Sequence, residues 1–291
     1  MLKCSVGVMA HNEEKNIARL LEALLGQELL GVEISEIIVV ASGCTDRTKK
    51  IACEVAEKNP KIKVLVQEKR EGKASAVNLW LKKAAADIMV MESADTIPEK
   101  DTIEKIVIPF ENPEIGMAGA RPVPTNDPKT FMGFATHLLW NLHHHISLKN
   151  PKMGELVAFR KVISEIPVDT AVDEAEIEAA VKKNGYGIKY VPDAVVQNRG
   201  PENISDFLKQ RRRIQAGHLA LKKKGHSVST SNGGKIFLLL LRNMDWDLRS
   251  LVFTPLVVLL EAWGRFLGWY DWRIKRKKHH IWEIAKSTKK L

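Results

Sequence analysis

Short apolar runs alternate with amphipathic stretches throughout the first 120 residues. Residues 3–9, 36–41, 62–66, 87–91 and 115–119 are rich in Val, Ile and Met, as buried strands are. Between the first two runs, Ile17, Leu20, Leu21, Leu24 and Leu25 recur at helical spacing. Asn12 is the expected cap of that helix and Gly26 its expected stop. Further helices are expected up to Asn59-Pro60, over 73–84 and over 99–108. Parallel strands need crossover connections, and helices supply them on both faces of a sheet. The alternation therefore predicts an α/β fold with a doubly wound, mainly parallel sheet.

In such sheets ligands bind beyond the carboxyl ends of the strands. The four loops there are His11-Asn12-Glu13, 42–46 (SGCTD), 68–73 (EKREGK) and 92–95 (ESAD). Together they bring carboxylates, a lysine and helix N-termini to one edge, which suits a metal ion and a diphosphate. Two common nucleotide sites are excluded. Gly72-Lys73 lacks the rest of a P-loop, and no G-x-G-x-x-G follows the first strand.

Six segments then carry a resemblance in order and spacing over roughly residues 4–217. They are 8–13 (VMAHNE), 39–48 (VVASGCTDRT), 70–78 (REGKASAVN), Ser93-Ala94-Asp95, Asp173-Glu174 and 210–214 (QRRRI). They resemble the P-A-Y-N-E opening, the V-V-D-D-G-S-T-D-G-T and G-K-x-x-A-L-N segments, and the D-x-D, E-D and Q-x-x-R-W motifs of family 2 inverting glycosyltransferases. Departures include Met9, His11, Ala41, Ser93 and Ile214. Ser93 leaves Asp95 as the carboxylate of the D-x-D, with Glu92 beside it.

The resemblance implies transfer of a sugar from a nucleotide diphosphate, with inversion, on a GT-A-like fold. It implies donor contacts from Ala10, His11, Glu13, Ser42, Asp46, Lys73 and Asp95. It also implies a divalent metal, Mn or Mg, held by Asp95 and bridging the diphosphate. A base must deprotonate the acceptor hydroxyl. Glu174 aligns with the catalytic carboxylate. Asp173 is the other candidate, although Thr170-Ala171-Val172-Asp173 also fits a capping box in which Asp173 serves the helix N-terminus. Gln210 and Arg213 share one helix side and face acceptor and diphosphate by the resemblance. Arg121, after a strand end, is a further candidate for acceptor or phosphate. His143, His144 and His145 are adjacent, so a helix points them in three directions, and a packed or acceptor-facing helix is expected there rather than a zinc site.

The net charge of +10 is local. Residues 207–224 carry +7 and 271–291 carry +6, leaving about −3 for the remainder. Such patches meet phosphates or anionic lipid. A nucleic-acid partner is not expected, because no reading motif or aromatic interleaving accompanies them. Three scattered cysteines fit a reducing compartment. No signal peptide is expected at the N-terminus.

Residues 225–234 read as a small-residue linker. Beyond it, 251–272 is largely apolar, and five of seven tryptophans fall between Trp246 and Trp282. Asp247, Thr254, Glu261, Arg265 and Trp272 form a narrow polar stripe along this helix. It is expected to lie in an anionic membrane interface, with packing on the catalytic domain or in a dimer of this chain as the competing reading. The expected organisation is a nucleotide-sugar-binding half (1–120), an acceptor-binding half of the same domain (121–225) and C-terminal amphipathic helices (234–291) that the sheet does not need. The acceptor is expected to be lipid-linked or a saccharide, at the cytoplasmic face of a membrane. A catalytically weakened sugar-nucleotide-binding or scaffold protein is the alternative suggested by Ala41 and Ser93.

Overall fold

The computed structural model describes residues 1–225, 233–242, 246–277, 279–281 and 285–289. The expected linker lies mostly outside the described residues, as do Lys278 of the basic run and Trp282. Strands β1 (Leu2–Ala10), β2 (Val32–Ser42), β3 (Ile62–Gln67), β4 (Ile88–Ser93), β5 (Thr96–Pro98), β6 (Ile115–Pro124), β7 (Val157–Arg160) and β8 (Gly187–Asn198) form one sheet. Its order is β3-β2-β1-β4-β7-β6-β8-β5. β1 is parallel to β2 and β4, and β2 to β3. β7 runs antiparallel between β4 and β6, β6 is parallel to β8, and β5 is antiparallel to β8. Thus β1, β2, β3, β4, β6 and β8 share one direction, and the sheet is mainly parallel.

The strand period sorts side chains between two cores. Cys4, Val6 and Val8 of β1, Ile37 and Val39 of β2, and Ile88 and Val90 of β4 face one side. There they meet helix α1 (Ile17–Leu25), helix α2 (Thr48–Lys58) through Ala52, and helix α4 (Thr102–Val107). The alternate residues Met9, Ile38, Val40, Met89 and Met91 face helix α3 (Lys73–Lys83) and helix α6 (Asp173–Lys183). Leu20 and Leu21 of α1 are fully buried, and truncating either to Ala costs ~2–5 kcal/mol by lost transfer and cavity terms. Trp80 of α3 meets Phe159 of β7 edge to face at 5.9 Å.

The structure corrects two local expectations. Asn12 does not cap α1, which begins five residues later with Asn16 at its N-cap position. Asn12 instead takes a left-handed backbone (φ 55°). Its side chain accepts from the Thr45 amide at 2.9 Å and donates to the Thr45 hydroxyl at 3.0 Å, joining two loops. Nor does Asp173 complete a capping box. Thr170 Oγ1 accepts from the Val172 amide, and Asp173 is the first residue of α6, 1% exposed. The short strand β5 carries no periodic signal in the sequence and exists because β8 pairs with it.

Beyond the sheet lie helices α5 (Phe131–Ser147), α7 (Ile204–Lys223), α8 (Gly233–Arg242) and α9 (Leu248–Arg273). Asp247 caps α9, accepting from the Ser250 amide at 2.8 Å. α9 lies on α7 so closely that a Cβ at Gly264 would stand 2.7 Å from Arg211 Cβ, and one at Gly268 2.7 Å from the Arg212 carbonyl oxygen. The inward face of α9 holds Ser250, Thr254, Gly264, Gly268 and Asp271. Its outward face exposes large apolar side chains, among them Leu259 at 66% and Trp263 at 52%. The ordinary polarity of a helix on a water-soluble domain is reversed. Of the expected stripe, Thr254 and Glu261 do turn inward. The chain then returns to the domain, where Ser287 Oγ donates to Asp206 at 2.8 Å and Lys289 pairs with Glu13.

Candidate active site

The parallel strands β1, β2 and β4 end on one edge, and a cavity of about 670 Å³ opens there. Ala10, His11 and Glu13 reach it from the end of β1, Ser42 from β2, and Ser93 and Asp95 from β4. Lys73 enters it as the first residue of α3, following Gly72 at φ 98°. The opposite wall carries Glu174 from α6 and Gln210 and Arg213 from α7.

Lys73 is the electrostatic centre. Its Nζ stands 2.7 Å from Glu174 Oε1, 4.0 Å from Asp173 Oδ2 and 3.4 Å from Ser93 Oγ. Burial opposes its charge, yet Glu174 and Asp173 outweigh that and hold its pKa above the ordinary value. Burial likewise opposes ionisation of Glu174, but Lys73 prevails and keeps this carboxyl below its ordinary value. Asp173 lacks so close a partner. Burial pushes it up to about 6, partly offset by Lys73, and its Oδ1 accepts no hydrogen bond. Asp95 is also raised, chiefly by burial. Neighbouring carboxylates with divergent proton affinities are a recurring property of catalytic sites.

Most of the residues expected from sequence converge on this cavity, with three exceptions. Asp46 does not line it. Its carboxylate accepts from the Thr48 amide at 2.9 Å, from the Thr48 hydroxyl at 2.5 Å and from the Glu14 amide at 3.2 Å, so it holds the first two loops together. Asp173 lies behind Glu174 and is not part of the cavity wall. Arg121 lines a separate cavity of about 400 Å³ with His144, Trp140 and Arg249. Glu92 points away from Ser93, as strand alternation requires, and accepts from the Thr96 hydroxyl. Fully buried, it is pushed up to about 8, first by burial. His144 Nδ1 bonds Tyr190 Oη at 2.9 Å, and His143 packs edge to face on Trp140.

Several lining residues lie outside the motifs. Glu155 projects from the loop before β7 with a left-handed backbone (φ 51°), a conformation non-glycine residues seldom hold without a reason. Burial and the neighbouring Asp95 and Glu174 raise its pKa to about 7. His280, Thr288 and Lys289 arrive from the far end of the chain, while Arg70, the first residue of the 70–78 segment, lines the cavity from the loop before Lys73. A Cβ at Gly72 would stand 2.7 Å from the His280 carbonyl oxygen, so the tail lies directly over the start of α3.

Among the described residues, no group of three or more His, Cys, Asp or Glu is arranged to hold a metal ion. Asp95, the carboxylate of the D-x-D position, suits another arrangement from the wall. Mg²⁺ and similar hard ions commonly take one or two carboxylates and complete their shell with substrate phosphates and water.

The sequence model of Glycosyl transferase family 2 matches residues 5–167, more than half of the chain and all but one of the strands on this edge and beyond it. The chain belongs to glycosyl transferase family 2. Poly-beta-1,6-N-acetyl-D-glucosamine synthase of Staphylococcus aureus (strain COL) is 27% identical over 243 residues, covering 79% of this chain and 58% of that protein. The chain thus spans little more than half of that relative. Two solved structures share the fold. The mannosyltransferase PcManGT from Pyrobaculum calidifontis, in complex with GDP-Man and Mn²⁺, superposes with a TM-score of 0.61 at 23% identity, over 90% of this chain and 73% of that one. S. aureus TarS 1–349, in complex with UDP-GlcNAc, gives 0.54 at 19% identity, over 93% and 80%. Family and fold thus agree, and the residues that converge on the sheet edge lie at the ends of β1, β2 and β4 and the start of α3, within the matched segment 5–167.

Proposed function

We propose that this glycosyltransferase moves a sugar, with inversion, from a nucleotide diphosphate to a lipid-linked or saccharide acceptor at the cytoplasmic face of a membrane. The observation that carries the reading is the Lys73–Glu174 pair inside a cavity that also holds Asp95, Gln210 and Arg213. Lys73 and Arg213 supply positive charge for a diphosphate leaving group. Glu174 faces the cavity and acts as the base toward the acceptor hydroxyl. Its ion pair with Lys73 weakens it as a base, so engagement of Lys73 by the diphosphate would restore its basicity at the moment of need. Asp95 would hold Mn²⁺ or Mg²⁺ together with the donor phosphates; the ion would neutralise charge on the departing diphosphate. The mannosyltransferase solved with Mn²⁺ supports metal use in this fold.

The reversed polarity of α9 supports a membrane-facing role, and the basic stretch after it suits anionic lipid. Both bases found in the solved relatives stay in play, because Ala41 leaves no carboxylate at the end of β2 to select uracil. A thermal-shift series with UDP-glucose, UDP-GlcNAc and GDP-mannose, each with Mn²⁺, tests the donor reading. One donor should raise the melting temperature only when the metal is present, and release of nucleoside diphosphate should follow on adding acceptor. Binding with no release under any acceptor would favour the weakened binding protein that Ser93 also permits. No shift with any donor would refute both.

A further inference from the structure

The same cavity is also lined by a group of charged residues, its second lobe, that the donor reading does not employ. Lys152, from the loop after α5, lines it within electrostatic reach of Arg211 and His218 of α7 and of Glu261 and Arg265 of α9. Arg211 and His218 are seven residues apart and share a helix face. Glu261 and Arg265 are four apart, with Arg265 Nε 2.8 Å from Glu261 Oε1. Arg211 Nε stands 3.7 Å from the other Glu261 oxygen without a hydrogen bond. Its guanidinium lies 5.4 Å over the Phe207 ring, which fixes its direction. Lys152 Nζ makes no ion pair among the described residues. Three cations therefore gather around Glu261 in a half-buried recess; Glu178 of α6 also acts on Lys152, but it is itself paired with Lys182 at 2.6 Å, so positive charge remains in surplus.

Like charges gathered out of water repel, and the effect is visible on two of the groups. Burial, then Arg211 and Arg265, lowers Lys152 to about 8. Burial, then Lys152, lowers His218 to about 4. A structural ion network would balance its charges. A surplus of positive charge facing a cavity is relieved by an anionic ligand, and planar guanidinium groups match phosphate oxygens with two donors each. The cavity wall also carries apolar side chains, among them Leu139, Trp140, Ile146 and Met153. The exposed apolar face of α9 lies on the outside of the same helix that supplies Glu261 and Arg265.

We propose that Lys152, Arg211, His218 and Arg265 form a subsite for a phosphate group carried by the acceptor. The inference rests on the glycosyltransferase reading above and deepens it: the acceptor hydroxyl presented to Glu174 belongs to a phosphate-bearing molecule. An amphiphile would place its phosphate in the lobe and its chain along the apolar wall. A phosphorylated sugar would place the phosphate alone.

Calorimetry on the full-length protein with decyl phosphate, a hexose phosphate and inorganic phosphate, against decanol and glucose, tests this. At least one phosphate should bind while both neutral compounds do not. Tighter binding of decyl phosphate identifies a lipid acceptor, and tighter binding of the hexose phosphate a saccharide one. Lys152→Gln and Arg265→Gln should each weaken the bound phosphate about 10- to 100-fold, the range for hydrogen bonds between charged groups. Wild-type protein adds a readout independent of variant folding, because its phosphate affinity should fall as pH rises past 8 and Lys152 loses its proton. Three results would overturn the proposal: no phosphate binds, both variants bind unchanged, or UDP displaces the phosphate by simple competition. The last would assign the lobe to the donor. Donor-induced thermal shifts of the wild-type protein report separately on the donor site, so failure there is distinct from failure here.

Discussion

Glu174 and Asp173 are sequence neighbours whose surroundings divide them. Glu174 opens to the cavity and pairs with Lys73 at 2.7 Å, whereas Asp173 is 1% exposed and lies behind it. Glu174→Gln should lower turnover about 10²–10⁴-fold, the usual range for a lost general base, with donor affinity nearly intact. Steady-state release of nucleoside diphosphate measures it, and a larger loss in Asp173→Asn would move the base to Asp173. Glu92 offers a cleaner pH experiment. Its folded pKa is raised to about 8, so between the ordinary carboxylate range and pH 8 the folded state binds the proton more tightly than the unfolded state. Stability from this group is therefore full at acid pH and declines as pH rises through that window. Glu92→Gln keeps an oxygen for the Thr96 hydroxyl and removes the charge. Its melting temperature should gain on wild type between pH 5 and pH 8 and stay ahead at pH 9. A parallel pair of melting curves would contradict the buried-acid assignment.

At the scale of elements, the three consecutive arginines of α7 have three different tasks. Arg212 binds Asp271 of α9 with two hydrogen bonds of 2.8 Å, and His279 adds a third contact at 3.3 Å. Arg211 meets Glu261, and Arg213 faces the cavity beside Glu174. Arg212→Ala leaves Asp271, wholly buried, without its main counter-charge, and should cost ~3 kcal/mol because breaking one side of a buried pair strands the other. Urea denaturation reads that loss. Arg213→Ala should instead lower turnover more than it lowers stability. Equal effects of all three alanine variants on both measures would reduce the segment to a basic surface helix. The helix itself is legible from sequence spacing; the Q-x-x-R resemblance singles out Arg213, which lines the cavity together with Arg211 and Arg212. The partners of Arg211 and Arg212 are not, since Glu261 and Asp271 lie 50 and 59 positions away and nothing local ties them to α7.

For the whole molecule, the decisive surface is the outward face of α9. Liposomes containing anionic lipid should sediment the full chain, and salt should weaken the binding only partly, because it screens the basic stretch and leaves apolar burial untouched. Leu259→Glu combined with Trp263→Glu should release the protein while the fold persists, as both side chains point away from α7. A monomeric full-length protein that ignores such liposomes would end the membrane reading. Ending the chain at residue 233 should also weaken donor binding at least about tenfold, since it removes Lys289 from Glu13 and His280 from above Gly72. This last effect belongs to the competing expectation, in which residues 234–291 pack on the catalytic domain. All eight strands of the sheet precede residue 199, whereas the cavity takes His280, Thr288 and Lys289 from this segment.

Periodicity and motif order alone determined the alternating α/β fold, the mainly parallel sheet and the edge where His11, Ser42, Lys73 and Asp95 gather, but not the antiparallel strands β5 and β7. Those properties follow from local side-chain alternation and from the rule that parallel strands end together, so one chain segment at a time suffices to read them. Only tertiary structure decided that Asn12 joins two loops rather than capping a helix, because its partner Thr45 competes 33 residues away. It also brought Glu155 to Asp95 and Glu174, stationed Lys152 among the arginines, and folded the tail back onto Glu13. A charge, a left-handed residue or a lysine near the end of a chain acquires its role from what is packed against it, and that packing is set by contacts between distant segments that no sequence window contains.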